Sequence, residues 1–182
     1  MTVAEGERPA RIPTRQGRVR DVSPARWLGL LLSLGLFLWS LFLPAYATPL
    51  DPGELRGVAA TEVYHGGMLL LLGWIAVFGD EPIFAWFANP ALAICLWRLA
   101  AWKPMTLRGG FVALLCAGLG LALALSGLIS SHLSPGDDHD LNGISYPLEG
   151  ARIWVVAFVP ALIASLIEFL IALVRAAKAA NA

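Results

Sequence analysis

Residues 27–43 read WLGLLLSLGLFLWSLFL, seventeen positions with no charge, closed by Pro44. A run of about 18 or more apolar residues has the length of a membrane-spanning helix. Proline ends such a helix because its ring locks φ and removes a backbone donor. The stretch reads as a first transmembrane helix, and comparable blocks recur along the rest of the chain.

Composition agrees. Of 182 residues, 58% are hydrophobic and 14% charged, against about 25% charged in an ordinary soluble domain. Formal net charge is zero, so no global field attracts nucleic acid. Cys95 and Cys116 both fall inside apolar blocks and read as small buried hydrophobes, not as a disulfide pair.

N-terminal to the first helix, residues 1–26 carry Arg8, Arg11, Arg15, Arg18, Arg20 and Arg26 among prolines and glycine, the pattern of a basic disordered tail. Ala45-Tyr46-Ala47 has the small-x-small form of a signal-peptidase site. The basic region is long, however, and the apolar run exceeds the usual length of about 7–15 residues, so the helix is read as an anchor that stays. Residues 27–175 form a transmembrane helical domain, and 176–182 a short tail.

The fold class expected is all-α, a polytopic bundle with five hydrophobic segments but four net crossings. The second hydrophobic region, residues 66–102, is interrupted at Gly79-Asp80-Glu81-Pro82 and again at Asn89-Pro90, where Asn as N-cap and Pro at the first helical position would restart a helix. Charge decides how often it crosses. With one net crossing, eleven of the 13 basic residues face the cytoplasm, as the positive-inside bias demands. With two, Arg98, Lys103, Arg108, Arg175 and Lys178 would all face out. One half of the region, around residues 68–78, is then re-entrant, interfacial or a half-helix, which is tolerated only under protein cover. Both termini are expected in the cytoplasm, in a bacterial inner membrane.

In the following helix, Gly118, Ala122 and Ser126, and also Gly120 and Ala124, recur every four residues. Small residues so spaced let helices approach closely in lipid.

The sharpest motif lies in the extracytoplasmic acidic loop, residues 134–149. Asp138, Asp140, Asn142, Gly143 and Glu149 match D-x-[DN]-x-[DN]-G-x5-E, the spacing of an EF-hand calcium loop. Against it, Ser145 replaces the usual hydrophobe, Pro147 falls where the exiting helix would begin, and no second hand exists. The loop is read first as a solvated acidic turn and second as a weak Ca2+ site, with Kd on the order of 10⁻⁴–10⁻³ M. His65, His132 and His139, with Glu62, match no zinc spacing.

Glu168 is an acid set well inside the last helix, on one face with Ala157, Ala161, Ser165 and Ala172. An intramembrane charge is costly unless paired, and marks a functional hypothesis. Glu168 and Arg98 both lie within about 10 Å of the inner ends of their helices at ~1.5 Å per residue, so an ion pair between them is expected. Asn89 is the other intramembrane polar group, either capping the helix at Pro90 or lining a broken-helix site.

No constellation for catalysis, nucleotide or cofactor binding is present, and Ser130-Ser131-His132 alone hints at one. The chain therefore reads as a non-enzymatic accessory, assembly or sensing subunit. It would act on a membrane-protein partner or a second copy of itself, through helix packing and the outer loop. A small transporter or channel using Asn89 and Glu168 is the alternative, and a membrane-embedded enzyme the third reading.

Overall fold

The structure is a computed structural model that describes residues 23–49, 61–76, 84–133 and 146–181. In order it has helix α1 (Pro24–Phe42), strands β1 (Pro44–Pro49) and β2 (Thr61–His65), helix α2 (Gly66–Ala76), a 3-10 turn (Phe84–Phe87), helices α3 (Ala88–Ala100) and α4 (Leu107–Leu133), strand β3 (Tyr146–Pro147), and helices α5 (Glu149–Val156) and α6 (Phe158–Ala180). The protein is mostly helical. Among the described residues three helical segments are long and apolar enough to cross a membrane: Pro24–Phe42, Leu107–Ile129 and Glu149–Ala180. Phe84–Ala100 is apolar but shorter.

Local sequence explains the boundaries. Ser23 precedes Pro24, which occupies the start of α1, where proline's missing donor costs nothing. The helix therefore begins before Trp27 and takes in Arg26, which the sequence pattern alone places in the basic tail. It stops at Leu43, which is extended (φ −90°, ψ 153°) because the residue before a proline is driven out of the helical region. The step from α5 to α6 at Ala157 has a similar cause: Pro160 cannot donate to the carbonyl of Val156, the last residue of α5.

Two expectations need correction. The helical class holds for most of the chain but not for all of it. A small antiparallel sheet, ordered β2-β1-β3, follows α1. Tyr46 faces Tyr64 on one side and Pro147 on the other, with a register irregularity between Pro44 and Tyr46. Ala45-Tyr46-Ala47 is thus the central strand, with Ala45 buried. Pro147 sits on a short edge strand, which is where a sheet accepts proline. Nor does the helix restart at Asn89-Pro90. The 3-10 turn feeds directly into α3 at Ala88, so Pro90 falls in the first turn, where no intrahelical bond is lost. The other interruption, residues 79–82, lies outside the described residues.

Contacts between helix ends set the arrangement. The start of α1 touches the end of α3 through Arg26. Gly110 at the start of α4 lies against Phe169 at the middle of α6. The positions Arg98, Lys103 and Arg108 lie here, at what we call the basic end, and Arg175 and Lys178 follow on the exposed continuation of α6 beyond it. At the opposite end, Gly150 lies against the carbonyls of Leu43 and Pro44, and Gly127 against Ala85. The sheet sits there. Successive helices α1, α3, α4 and α5–α6 therefore alternate in direction. Gly66 packs on Ser40 and Leu41, so α2 starts at the sheet end, and Trp86 of the 3-10 turn donates to the Leu70 carbonyl of α2 (3.1 Å).

The interior is built largely from small side chains, with Leu92, Leu99 and Phe158 the largest apolar ones fully buried. Ala113, Ala117, Ala124, Ala161 and Ala164 are buried, whereas Leu31, Trp39, Leu71, Leu119 and Ile163 are exposed. Gly29 has no room for a side chain: a Cβ there would fall 2.3 Å from the Ala164 Cβ. Of the two small-residue series in α4, Gly120 and Ala124 face inward, while Ala122 and Ser126 are exposed. Small residues inside and large apolar ones outside is the distribution suited to lipid, where close backbone packing holds helices together.

Candidate functional site

The basic end contains a buried polar cluster made by α1, α3 and α6. Arg26 is the third residue of α1 and is 1% exposed. Helical side chains lean toward the N-terminus, which carries its guanidinium to the level of the last turn of α3. There Nε donates to the Leu99 carbonyl (2.5 Å), Nη1 to Lys103 (3.1 Å), and Nη2 to Arg98 (3.1 Å) and to Ala101.

Magnitudes explain the placement. A cation at the first turn of its own helix opposes the macrodipole by about 0.3–1 kcal/mol. Each charge-assisted hydrogen bond contributes about 1.5–3 kcal/mol. Two acceptors, at residues 98 and 99, are among the last carbonyls of α3, which otherwise lack helical partners, and the other two, at 101 and 103, follow the helix. The bonds to α3 win. Arg26 acts as the C-terminal cap of a helix more than seventy residues away.

Glu168 enters the same cluster from α6, 4% exposed. Arg26 is the cation with which it interacts electrostatically. Its Oε1 has no hydrogen-bond partner among the described residues. On the same helix face, Ser165 pairs with the buried Cys95 thiol (3.3 Å). Ala157, Ala161, Ser165, Glu168 and Ala172 are all buried, so this face is turned inward. Further along, Ser33 of α1 donates to the Ala157 carbonyl at the α5–α6 junction (2.6 Å).

The expected Glu168–Arg98 pair requires correction. The Arg98 side chain is exposed, and the residue enters the cluster only through its carbonyl oxygen. The two residues lie on α3 and α6, which do pack together, but the Arg98 side chain faces away from the interior. Arg26 supplies the charge. Its sequence signal was Ser23-Pro24, a helix-start pair that places Arg26 inside the first turn.

Asn89 is not a helix cap. Its Oδ1 accepts a hydrogen bond from the Trp154 indole (2.9 Å), linking α3 to α5. Of the calcium-loop residues, Asp138, Asp140 and Asn142 lie outside the described residues, and Glu149 stands exposed as the first residue of α5. His65 ends β2 and is exposed, and His132 falls in the last turn of α4, whereas His139 is outside the described residues. Among the described residues no three His, Cys, Asp or Glu side chains are grouped to hold a metal.

Outside the spans, Tyr46 in β1 is half-buried, and that burial raises its phenol above the ordinary value of 10.0. Its hydroxyl approaches Gly127 of α4, so the sheet is seated on the helix ends.

No family model matches the chain, and neither a curated protein nor a solved structure shows significant similarity to it.

Proposed function

We propose that the chain is a non-enzymatic subunit of the bacterial inner membrane, crossing four times with both termini cytoplasmic, whose work is assembly or sensing with a membrane-protein partner. The observation that carries this reading is how the interior polar groups are used. Arg26 serves four backbone carbonyls, Ser33 serves a fifth and Trp86 a sixth. These groups hold helices, and large apolar side chains such as Leu31, Trp39 and Leu119 remain outward for lipid or a partner helix. The alternating directions of α1, α3, α4 and α5–α6 support four crossings.

Reporter fusions after residues 80, 105, 140 and 182 test the topology; an external position for residue 105 would overturn it. For the role, the chain is extracted from its own membrane in native nanodiscs and weighed. A fixed stoichiometry with one partner, or with itself, is expected, and a bare monomer would sink the assembly reading. The outer loop remains a proposed weak Ca2+ site, in which Asp138→Ala/Glu149→Ala should abolish calcium binding.

One observation favours a second reading, a small transporter or channel: the buried Glu168 oxygen without a donor. A buried carboxylate so placed is where an intramembrane proton or cation path would run. Proton flux in proteoliposomes that disappears in Glu168→Gln would move the assignment to this class.

A further inference from the structure

The connection from α3 to α4 is exposed, basic and aromatic at once. Arg98, Lys103 and Arg108 are all exposed, and Trp97 and Trp102 are 77% and 83% exposed. Among the described residues the single carboxylate at this end is Glu168, and it is buried. Among the described residues the patch therefore carries positive charge with no exposed carboxylate at its end of the bundle.

Its backbone is held in place from beneath. Arg26 bonds the carbonyls of residues 98, 99, 101 and 103, and the Trp102 ring meets Trp27 of α1 edge-on (centroids 5.8 Å apart). On the other side, Thr106 caps α4 by accepting from the Gly109 N–H (3.1 Å). The side chains thus project from a backbone already ordered, which lowers the entropic cost of binding. The start of α4 adds the positive end of a 27-residue helix, a further attraction for an anion.

We infer that this connection is a binding site for the phosphate-bearing headgroup of an anionic phospholipid. Arg98, Lys103 and Arg108 meet the phosphate, and Trp97 and Trp102 seat their rings at the level of the glycerol. The tryptophans select lipid over a soluble anion. A soluble phosphate needs cations and donors, whereas exposed indoles beside cations are the profile of a membrane–water interface, with apolar ring and polar N–H both accommodated. The aliphatic stems of lysine and arginine complete that profile.

The test reconstitutes the full chain with brominated phosphatidylglycerol or brominated phosphatidylcholine and reads tryptophan quenching. Relative binding of the anionic lipid should exceed that of the zwitterionic one by about three- to tenfold, each cation near the surface contributing. The preference should fall toward one in Arg98→Gln/Lys103→Gln/Arg108→Gln and in about 0.5 M NaCl, where screening is short-ranged. Arg98→Lys/Arg108→Lys, which keeps the charge, should retain it. If the triple variant does not fold, Lys103→Gln and Arg108→Gln singly should each lower the preference. Equal quenching by both lipids, or an undiminished preference in the glutamine variants, overturns the site. Free glycerol phosphate at millimolar levels reversing the quenching would assign it to a soluble anion instead.

Discussion

The Arg26 guanidinium is hydrogen-bonded to the carbonyl of Leu99, 73 positions away, and ties the first turn of α1 to the last turn of α3. The same group is the cation acting on Glu168. Three helices meet at one side chain.

Arg26→Ala should therefore be among the most damaging single changes. It strips the carbonyls of residues 98, 99, 101 and 103 of their donor, and each buried acceptor left unsatisfied costs about 1–3 kcal/mol. Arg26→Lys should recover only a minor part, because an ammonium cannot reach acceptors spread as a planar fork reaches them. Thermal unfolding in detergent, with helicity as the signal, reads both. A melt for Arg26→Ala indistinguishable from the parent would contradict the capping role.

A double-mutant cycle separates the two arginines. Arg26→Gln and Glu168→Gln should show a coupling of about 1 kcal/mol or more, as expected for partners in one network. Arg98→Gln and Glu168→Gln should be additive within about 0.5 kcal/mol. Coupling confined to Arg98 would restore the pairing expected from helix depth alone.

Two glycines of α1 should behave oppositely. At Gly29 a Cβ would lie 2.3 Å from the Ala164 Cβ and 2.9 Å from the Pro160 carbonyl, so α1 and α6 would have to move apart. Gly29→Ala should lower stability by about 1–3 kcal/mol, the range for overpacking. Gly35 has nothing within 4 Å, and Gly35→Ala should gain up to about 1 kcal/mol from helix propensity. Equal effects at the two positions would show that α1 does not pack on α6 through Gly29.

Alkaline pH should loosen the sheet end. Burial raises the Tyr46 phenol above 10.0, so the folded state holds its proton more tightly than the unfolded chain does. That contribution is complete below the unfolded value and is lost as pH rises through about 10 and beyond. Tyr46→Phe, which cannot ionise, should remove this component of the alkaline loss. Phenolate absorbance followed against pH, in parent and variant, measures the missing high-pH step.

How far the residues announced this structure depends on the kind of signal. Apolar length at residues 27–43 marked a span, and Pro44 marked its end, because both effects act within one or two turns of chain. The inward face of α6, from Ala157 through Ser165 and Glu168 to Ala172, was visible for the same reason: helical period is local. The short strands were not visible. Residues 44–49 continue an apolar run past Pro44, and only pairing with residues 61–65 and 146–147 makes them a sheet.

The sequence by itself determined that this chain is a membrane-length helical protein with one acidic residue turned into its interior. It could not determine which cation that acid meets. Arg98 and Arg26 stand at similar depths, and depth is a count of residues at a fixed rise, whereas facing depends on how α1, α3 and α6 pack. The acceptors that hold Arg26 are backbone carbonyls, which carry no residue identity. Only the tertiary arrangement, bringing the end of α3 beside the start of α1, created the site that Arg26 fills.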